Sequence, residues 1–383
     1  MSKFVTVLLG LLGGLTAAAA LAWPMTAQPR ATTQEPIPVP IWTIEDVAVS
    51  GHGHALAVDA FSRPHLLYVD PVSGALRYAV REYDGWHYED VADESRDMLY
   101  LDYDLQIHRD HAPCLVYATE KAVASQPGDT KLVYGCRGPD GWELTTIDDG
   151  GRTPNLALNE FGRPSIAFVQ GRNAVYMTRE GEQWHKVVVG TDADYMNQVL
   201  LLLDRGGWPA VIYRGAHGQF RADREWNGVW FSTPLEGPTI YAAQVFDSVD
   251  EVWLAVNDGE AASGHPPFFL ARLKLVEPSD SGPDDWETIA AAYDWPIAVD
   301  LALDSYPHLA YSAPDGALQY LWWDDDGRHN DSPPARADGE VSLVLSGDQQ
   351  FIAFTGANQL QLATRHVVWL DKSAVLPFVI GGP

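Results

Sequence analysis

One pattern recurs along the chain and limits what it can fold into. "ALAVDAFSRPHLLY" (55–68), "DLQIHRDHAPCLVY" (104–117), "NLALNEFGRPSIAF" (155–168), "LLLLDRGGWPAVIY" (200–213) and "VSLVLSGDQQFIAF" (341–354) align without gaps. "LALDSYPHLAY" (301–311) is a copy with a shortened turn, and "AAQVFDSVDEVWLAV" (242–256) is the most degraded copy. Each copy is an apolar run, a break at Asp, Gly or Pro, and a second apolar run ending near an aromatic, the pattern of two strands joined by a turn. A third run follows in every unit, as in "ALRYAV", "KLVYGC" and "AVYMTR", and most units then start a fourth with Trp, as in "GWHYEDVA", "GWELTTI" and "QWHKVVV".

Four short strands repeating every 43 to 51 residues is the spacing of propeller blades. The expected fold class is therefore all-β, a seven-bladed β-propeller of four-stranded antiparallel blades. "IWTIEDVAV" (41–49) looks like a fourth strand lacking its first three, while unit six has no clear fourth strand and unit seven offers only "HVVWLDK". The 41–49 strand is thus expected to close the ring against the last blade, hiding a sheet edge.

The residues ahead of the repeats have another character. Lys3 followed by the uncharged run of 20 residues from Phe4 to Trp23, with "ALA" or "MTA" behind it, reads as an export signal. An uncleaved version would be long enough to span a membrane. Five prolines in "PMTAQPRATTQEPIPVP" suit an extended linker. The domain reading is a signal peptide over 1–27, a linker over 28–40 and the propeller over 41–383, in a secreted, periplasmic or cell-surface protein. Losing Lys3 with the signal moves the net charge from −27 to −28. That charge argues against nucleic acid and anionic membranes as partners, and a monomer is expected.

Register can be read from turn length. In unit one "PVSG" sets Asp70 opposite Ala75, Tyr68 opposite Arg77 and His65 opposite Val80; transferred to unit two, this sets Cys114 opposite Cys136. In an exported chain the two thiols are expected to form a disulfide. His65 and His308, both in "PHL", share one blade position with Cys114, Ser165 and Ala210 and read as packing residues.

Polar residues sort by face. The loops leading into each first strand, and those joining second to third strands, share one face, here the leading face; "FSRP", "FGRP" and "GGWP" lie on the opposite, turn face. His52, His54, Arg96, Arg152, Arg172, Tyr195, Arg214, His217, Tyr241 and Tyr293 fall on the leading face and are the ligand-binding candidates. Arg with His and Tyr suits a glycan, including the carboxylate of an acidic sugar, although Asp97, Asp192, Asp194 and Asp294 share the face. In "GHGH" His52 and His54 lie on one side of a strand, yet two histidines are too few for a closed zinc site. "WDDDGRHNDS" and "SDSGPDD" lack calcium-loop spacing, and no nucleophile elbow, phosphate loop or CxxC is present. No metal or cofactor is expected, and catalytic residues are not identified.

At the level of "ALAVDAFSRPHLLYVDPVSGALRYAVREYDGW", the repeats resemble those of secreted bacterial β-propellers in the broad sialidase-like (BNR-type) group. True Asp-boxes are missing: "GPDGW" (138–142) lacks the Ser and Thr of SxDxGxTW, and no Arg-Ile-Pro occurs. The resemblance implies a propeller and leaves its reaction open. The expected function is a binding module for a glycan or an exported protein acting through the leading face. The alternatives are a glycan-cleaving enzyme, either a sialidase-like hydrolase or a polysaccharide lyase with His, Tyr and Arg on that face, and a scaffold in a surface or periplasmic complex.

Overall fold

The computed structural model describes residues 37–49, 53–92, 98–108, 110–121, 130–193, 199–215, 220–226, 228–235, 239–245, 251–257, 268–274, 287–292 and 298–370. Val39–Val368 form one compact unit; the second unit, Met1–Pro38 with Trp369–Pro383, is described only at 37–38 and 369–370. The export signal, residues 28–36 of the linker and the "SDSGPDD" loop lie outside the described residues. No helix among those described is long and apolar enough to cross a membrane.

The described chain is all-β. Its strands form seven four-stranded antiparallel sheets. Six are consecutive in sequence, spanning 54–92, 98–149, 151–190, 199–235, 239–292 and 298–330, each with its strands in chain order. In the seventh, Val341–Ser346, Gln349–Gly356 and Gln359–Leu370 are followed by Ile37–Val49 as the outer strand. Residues 366–370 of "HVVWLDK" therefore prolong a third strand and are not a separate fourth one. The outer strand begins at Ile37, ahead of the boundary expected at 41, because Pro38 and Pro40 are tolerated on a sheet edge that needs few N–H donors. Sheet six does have a fourth strand, the four-residue Gly327–Asn330; with no apolar residue in it, no hydrophobic pattern marked it.

Burial explains the sequence pattern within each sheet. Second strands such as Pro64–Val69 and Pro307–Ser312 are buried almost end to end, whereas outer strands such as Gly85–Ala92 are largely exposed. Strands covered on both faces read as continuous apolar runs. The cores lie between neighbouring sheets: Leu67, Tyr78 and Leu115 join sheets one and two, Tyr134, Phe168 and Val175 join two and three, and Leu66, Tyr68 and Phe351 join one and seven.

Two repeated contacts fasten sheet to sheet. A third-strand tyrosine meets the outer-strand tryptophan of the next sheet edge to face: Tyr78 with Trp142 (5.4 Å), Tyr134 with Trp184 (5.2 Å) and Tyr320 with Trp42 (5.5 Å), while Tyr176 and Trp230 meet at a tilt (5.2 Å). Such pairs add about 0.5–1.5 kcal/mol beyond area burial. Along the first strands, Asp104 Oδ2 accepts the N–H of Leu156 (2.7 Å), Asn155 Oδ1 that of Leu201 (2.7 Å) and Asp300 Oδ2 that of Leu343 (2.7 Å). A first strand is an edge strand, and these side chains satisfy N–H groups that would otherwise lack partners.

The turns are fixed locally. Asp59 Oδ1 accepts the N–H groups of Phe61 and Arg63 (2.9 Å each), and Asn159 Oδ1 those of Phe161 (3.0 Å) and Arg163 (2.9 Å). These are Asx turns, closed by Ser62 at φ 59° and Gly162 at φ 75°.

The register read from the turns holds: Tyr68 faces Arg77, His65 faces Val80, and Cys114 faces Cys136 with the disulfide formed. It links residues 22 apart, so Cys114→Ser/Cys136→Ser should lose about 3 kcal/mol in urea denaturation. An unchanged midpoint would mean that the hairpin holds itself.

Candidate binding site at the leading face

Strand starts from four sheets bring polar groups together. Arg152 and Thr153 stand near the start of Gly151–Leu158, Asp102 and Tyr103 in Met98–Ile107, His54 at the start of His54–Val58, and Glu340 just ahead of Val341–Ser346. The His54 N–H donates to Glu340 Oε2 (3.1 Å). Gly53 has φ +78°, and a Cβ there would lie 2.9 Å from Tyr103 Oη and 3.3 Å from Glu340 Oε2. Only glycine admits both the backbone conformation and the approach of the phenol and the carboxylate.

Backbone irregularity concentrates at this end. Register shifts interrupt the first strands at Tyr100/Asp102, Arg152/Asn155 and Ile240/Ala242. Bulges re-aim side chains, and they are frequent beside functional sites. Thr153, inside the second of them, has φ 48°, unfavourable for a β-branched residue, and its buried Oγ1 has no hydrogen-bond partner. Its N–H is engaged by the Asp102 carboxylate.

The electrostatics centre on Asp102. The residue keeps exposed surface, but loss of water around its carboxyl pushes the pKa up to about 6. The Thr153 N–H opposes that rise, the Glu340 charge adds to it, and the Arg152 charge partly offsets it. Two carboxylates thus face one guanidinium. An anionic ligand would meet Asp102 and Glu340 as well as Arg152, in keeping with the acidic residues that the sequence places on this face.

The sequence candidates divide. His54 is 7% exposed and turned into the contact between sheets one and seven, where Nε2 donates to the Ala353 carbonyl (3.0 Å). Burial pushes its pKa down to about 4, so the ring is neutral near pH 7, with a bare, buried Nδ1 that has no hydrogen-bond partner. It is not presented to solvent as an acid or base. Arg172 is exposed and pairs with Asp192 (3.3 Å); Arg214 ends Pro209–Arg214; the Tyr241 backbone lies at the bulge of Thr239–Val245. His52, Arg96, Tyr195, His217 and Tyr293, with Asp97, Asp194 and Asp294, lie outside the described residues. Asp102, Tyr103 and Glu340 are not among the sequence candidates, and no strand or turn pattern singles them out.

No family model and no curated protein sequence matches the chain. Solved structures do. A chain of the mitotic checkpoint complex is 12% identical, with 94% of this chain and 100% of that one covered at a TM-score of 0.55. The Cps50 β-propeller domain of Myceliophteria thermophila is 9% identical, with 84% and 99% covered at 0.55. A prolyl endopeptidase is 11% identical at 0.51, with 82% of this chain covered, which spans only 49% of that enzyme. At such identities these likenesses establish the fold, a β-propeller, and nothing about activity.

Proposed function

We propose that the protein is an exported binding module, a seven-bladed propeller closed by its N-terminal strand, that recognises a glycan at the leading face. The observation that carries this reading is the convergence of Asp102, Arg152, Tyr103 and Glu340 at strand starts, with the strands of Asp102 and Arg152 bulged there. Carboxylates and guanidinium together offer acceptors and donors to sugar hydroxyls, with the buried Tyr103 phenol bonded to the Val69 backbone behind them, and the acidic balance favours a neutral or amino sugar over a uronate. The disulfide is compatible with export. Closure is supported by Ile37–Val49, which pairs within sheet seven while Glu45 takes hydrogen bonds from Arg81 (2.8 Å) and Trp86 (3.1 Å) of sheet one.

The test is thermal stability of the mature protein against neutral, amino and acidic glycans. A ligand at about 100 times its Kd stabilises by roughly 2.7 kcal/mol. Arg152→Ala and Asp102→Asn should abolish that gain; Asn keeps an acceptor for the Thr153 N–H, so the second variant should fold normally. Equal gains in wild type and both variants would remove the site from this face.

A second reading, glycan cleavage, is favoured by one observation: Asp102, raised to about 6, stands near a second carboxylate, Glu340. A carboxyl group with a raised pKa beside a second carboxylate is the equipment of glycoside hydrolysis. Release of reducing ends, lost in Asp102→Asn and Glu340→Gln, would establish it; binding without release would leave the module reading.

A further inference from the structure

A second cleft opens at the opposite end of the sheets. It lies between sheets one and two on the turn face, with a volume of about 260 Å³. Sites for drug-sized ligands begin at roughly 300 Å³, so this one has room for one sugar ring. Its floor is His65, 2% exposed, whose Nδ1 is hydrogen-bonded to the Tyr78 hydroxyl while Nε2 lies 3.5 Å from Asp59 Oδ2. Sheet six repeats this chain of groups, with His308 between Tyr320 (2.6 Å) and Asp304 (3.2 Å). A device present in two sheets is a lock for second and third strands, and His65 is accordingly a fixed wall.

The rim is made of opposed charges already paired. Arg137 Nε donates to Glu89 Oε1 at 2.6 Å; Arg63 is held by Asp59 (2.7 Å) and approaches Glu82 (3.6 Å). Burial keeps His65 neutral by pushing its pKa down to about 4. An anion would have to displace a carboxylate from its arginine, and a cation an arginine from its carboxylate. A vicinal diol does neither, since each hydroxyl can accept from a guanidinium and donate to a carboxylate. Groups already held in pairs lose little freedom on binding.

The next junction keeps only the arginine of this equipment. Between sheets two and three the positions of His65, Glu89 and Arg137 are held by Cys114, Thr145 and Arg179. The cleft is a local departure from the repeat.

We propose that this cleft is a second ligand site, taking one neutral monosaccharide unit with hydroxyls bridging the Arg137–Glu89 and Arg63–Glu82 pairs. It is independent of the leading-face reading. With sites at both ends of the sheets, one molecule could join two glycan chains.

The test is calorimetric titration of the whole mature protein with methyl glycosides of glucose, galactose, mannose, fucose and glucuronic acid. Wild type and Arg152→Ala should bind a neutral glycoside equally, and Arg137→Ala and Glu89→Gln should weaken it at least tenfold. Both cleft variants alter exposed or half-buried groups, and an unchanged melting curve will show that they fold. Binding lost in Arg152→Ala but kept in the cleft variants would overturn the second site and leave the leading-face reading intact. A preference for glucuronide, or no binding of any neutral glycoside, would also overturn it.

Discussion

Replacing Trp42 with alanine is expected to cost about 3 kcal/mol of stability, toward the low end for tryptophan truncation because the ring is half-buried. Trp42 comes from the N-terminal strand yet works between the last two sheets: its ring packs against Tyr320 at 5.5 Å and its Nε1 donates to the Asp331 carbonyl (2.8 Å), both in or beside sheet six. The same strand touches sheet one through Glu45, and Val47 accepts from the Tyr88 hydroxyl. A residue far from sheet six in sequence thus fills the position that Trp142 fills between sheets one and two. Trp142→Ala is the matched control, and urea denaturation of the two variants should show comparable losses. If Trp142→Ala destabilises and Trp42→Ala does not, the N-terminal strand is an appendage and closure by it is wrong.

What could be read in advance follows from where the information sits. His65 opposite Val80 and Cys114 opposite Cys136 depend on turn length and the two-residue period of a strand, both local. The role of 41–49 was legible because a tryptophan-led outer strand had no partners nearby in sequence. His54, a candidate by its place on the leading face, is turned away from that face for a physical reason: in "HALAV" the first four residues are buried, and an alternating pattern cannot reveal a strand covered on both faces. The leading-face site was legible as a face and not as a constellation. Glu340 and His54 are 286 residues apart, and what joins them is adjacency of the first and last sheets together with bulges that no repeat alignment contains. The turn-face cleft depends on two Arg–Glu pairings, one of them between sheets, Arg137 to Glu89 across 48 residues.

The carboxylates on the first strands should give the protein a stability that declines toward neutral pH through one identifiable group. Asp300 accepts N–H groups from Leu301 (2.8 Å) and Leu343 (2.7 Å), yet loss of water pushes its pKa up to about 7, with the Asp104 charge adding to the rise. Asp104, similarly placed, is raised to about 6. An acid whose folded pKa lies above its unfolded value binds more protons when folded. Between roughly pH 4 and 7 its contribution therefore falls as pH rises. His54 and His65, both lowered to about 4, act in the opposite direction between pH 4 and their unfolded value of 6.5. The overall profile is consequently shallow and does not identify its sources. Comparing wild type with Asp300→Asn removes the histidines from the difference. The variant loses an acceptor for one N–H at every pH, a cost of about 1–3 kcal/mol. It is relieved of the buried charge only at high pH. Its deficit should then be greatest near pH 4.5 and shrink by on the order of 2–4 kcal/mol by pH 8. Denaturant titrations at the two pH values measure this directly. A deficit independent of pH would mean that Asp300 titrates like a solvent-exposed acid, and that the first strands hold it as an ordinary carboxylate acceptor with no linkage to folding.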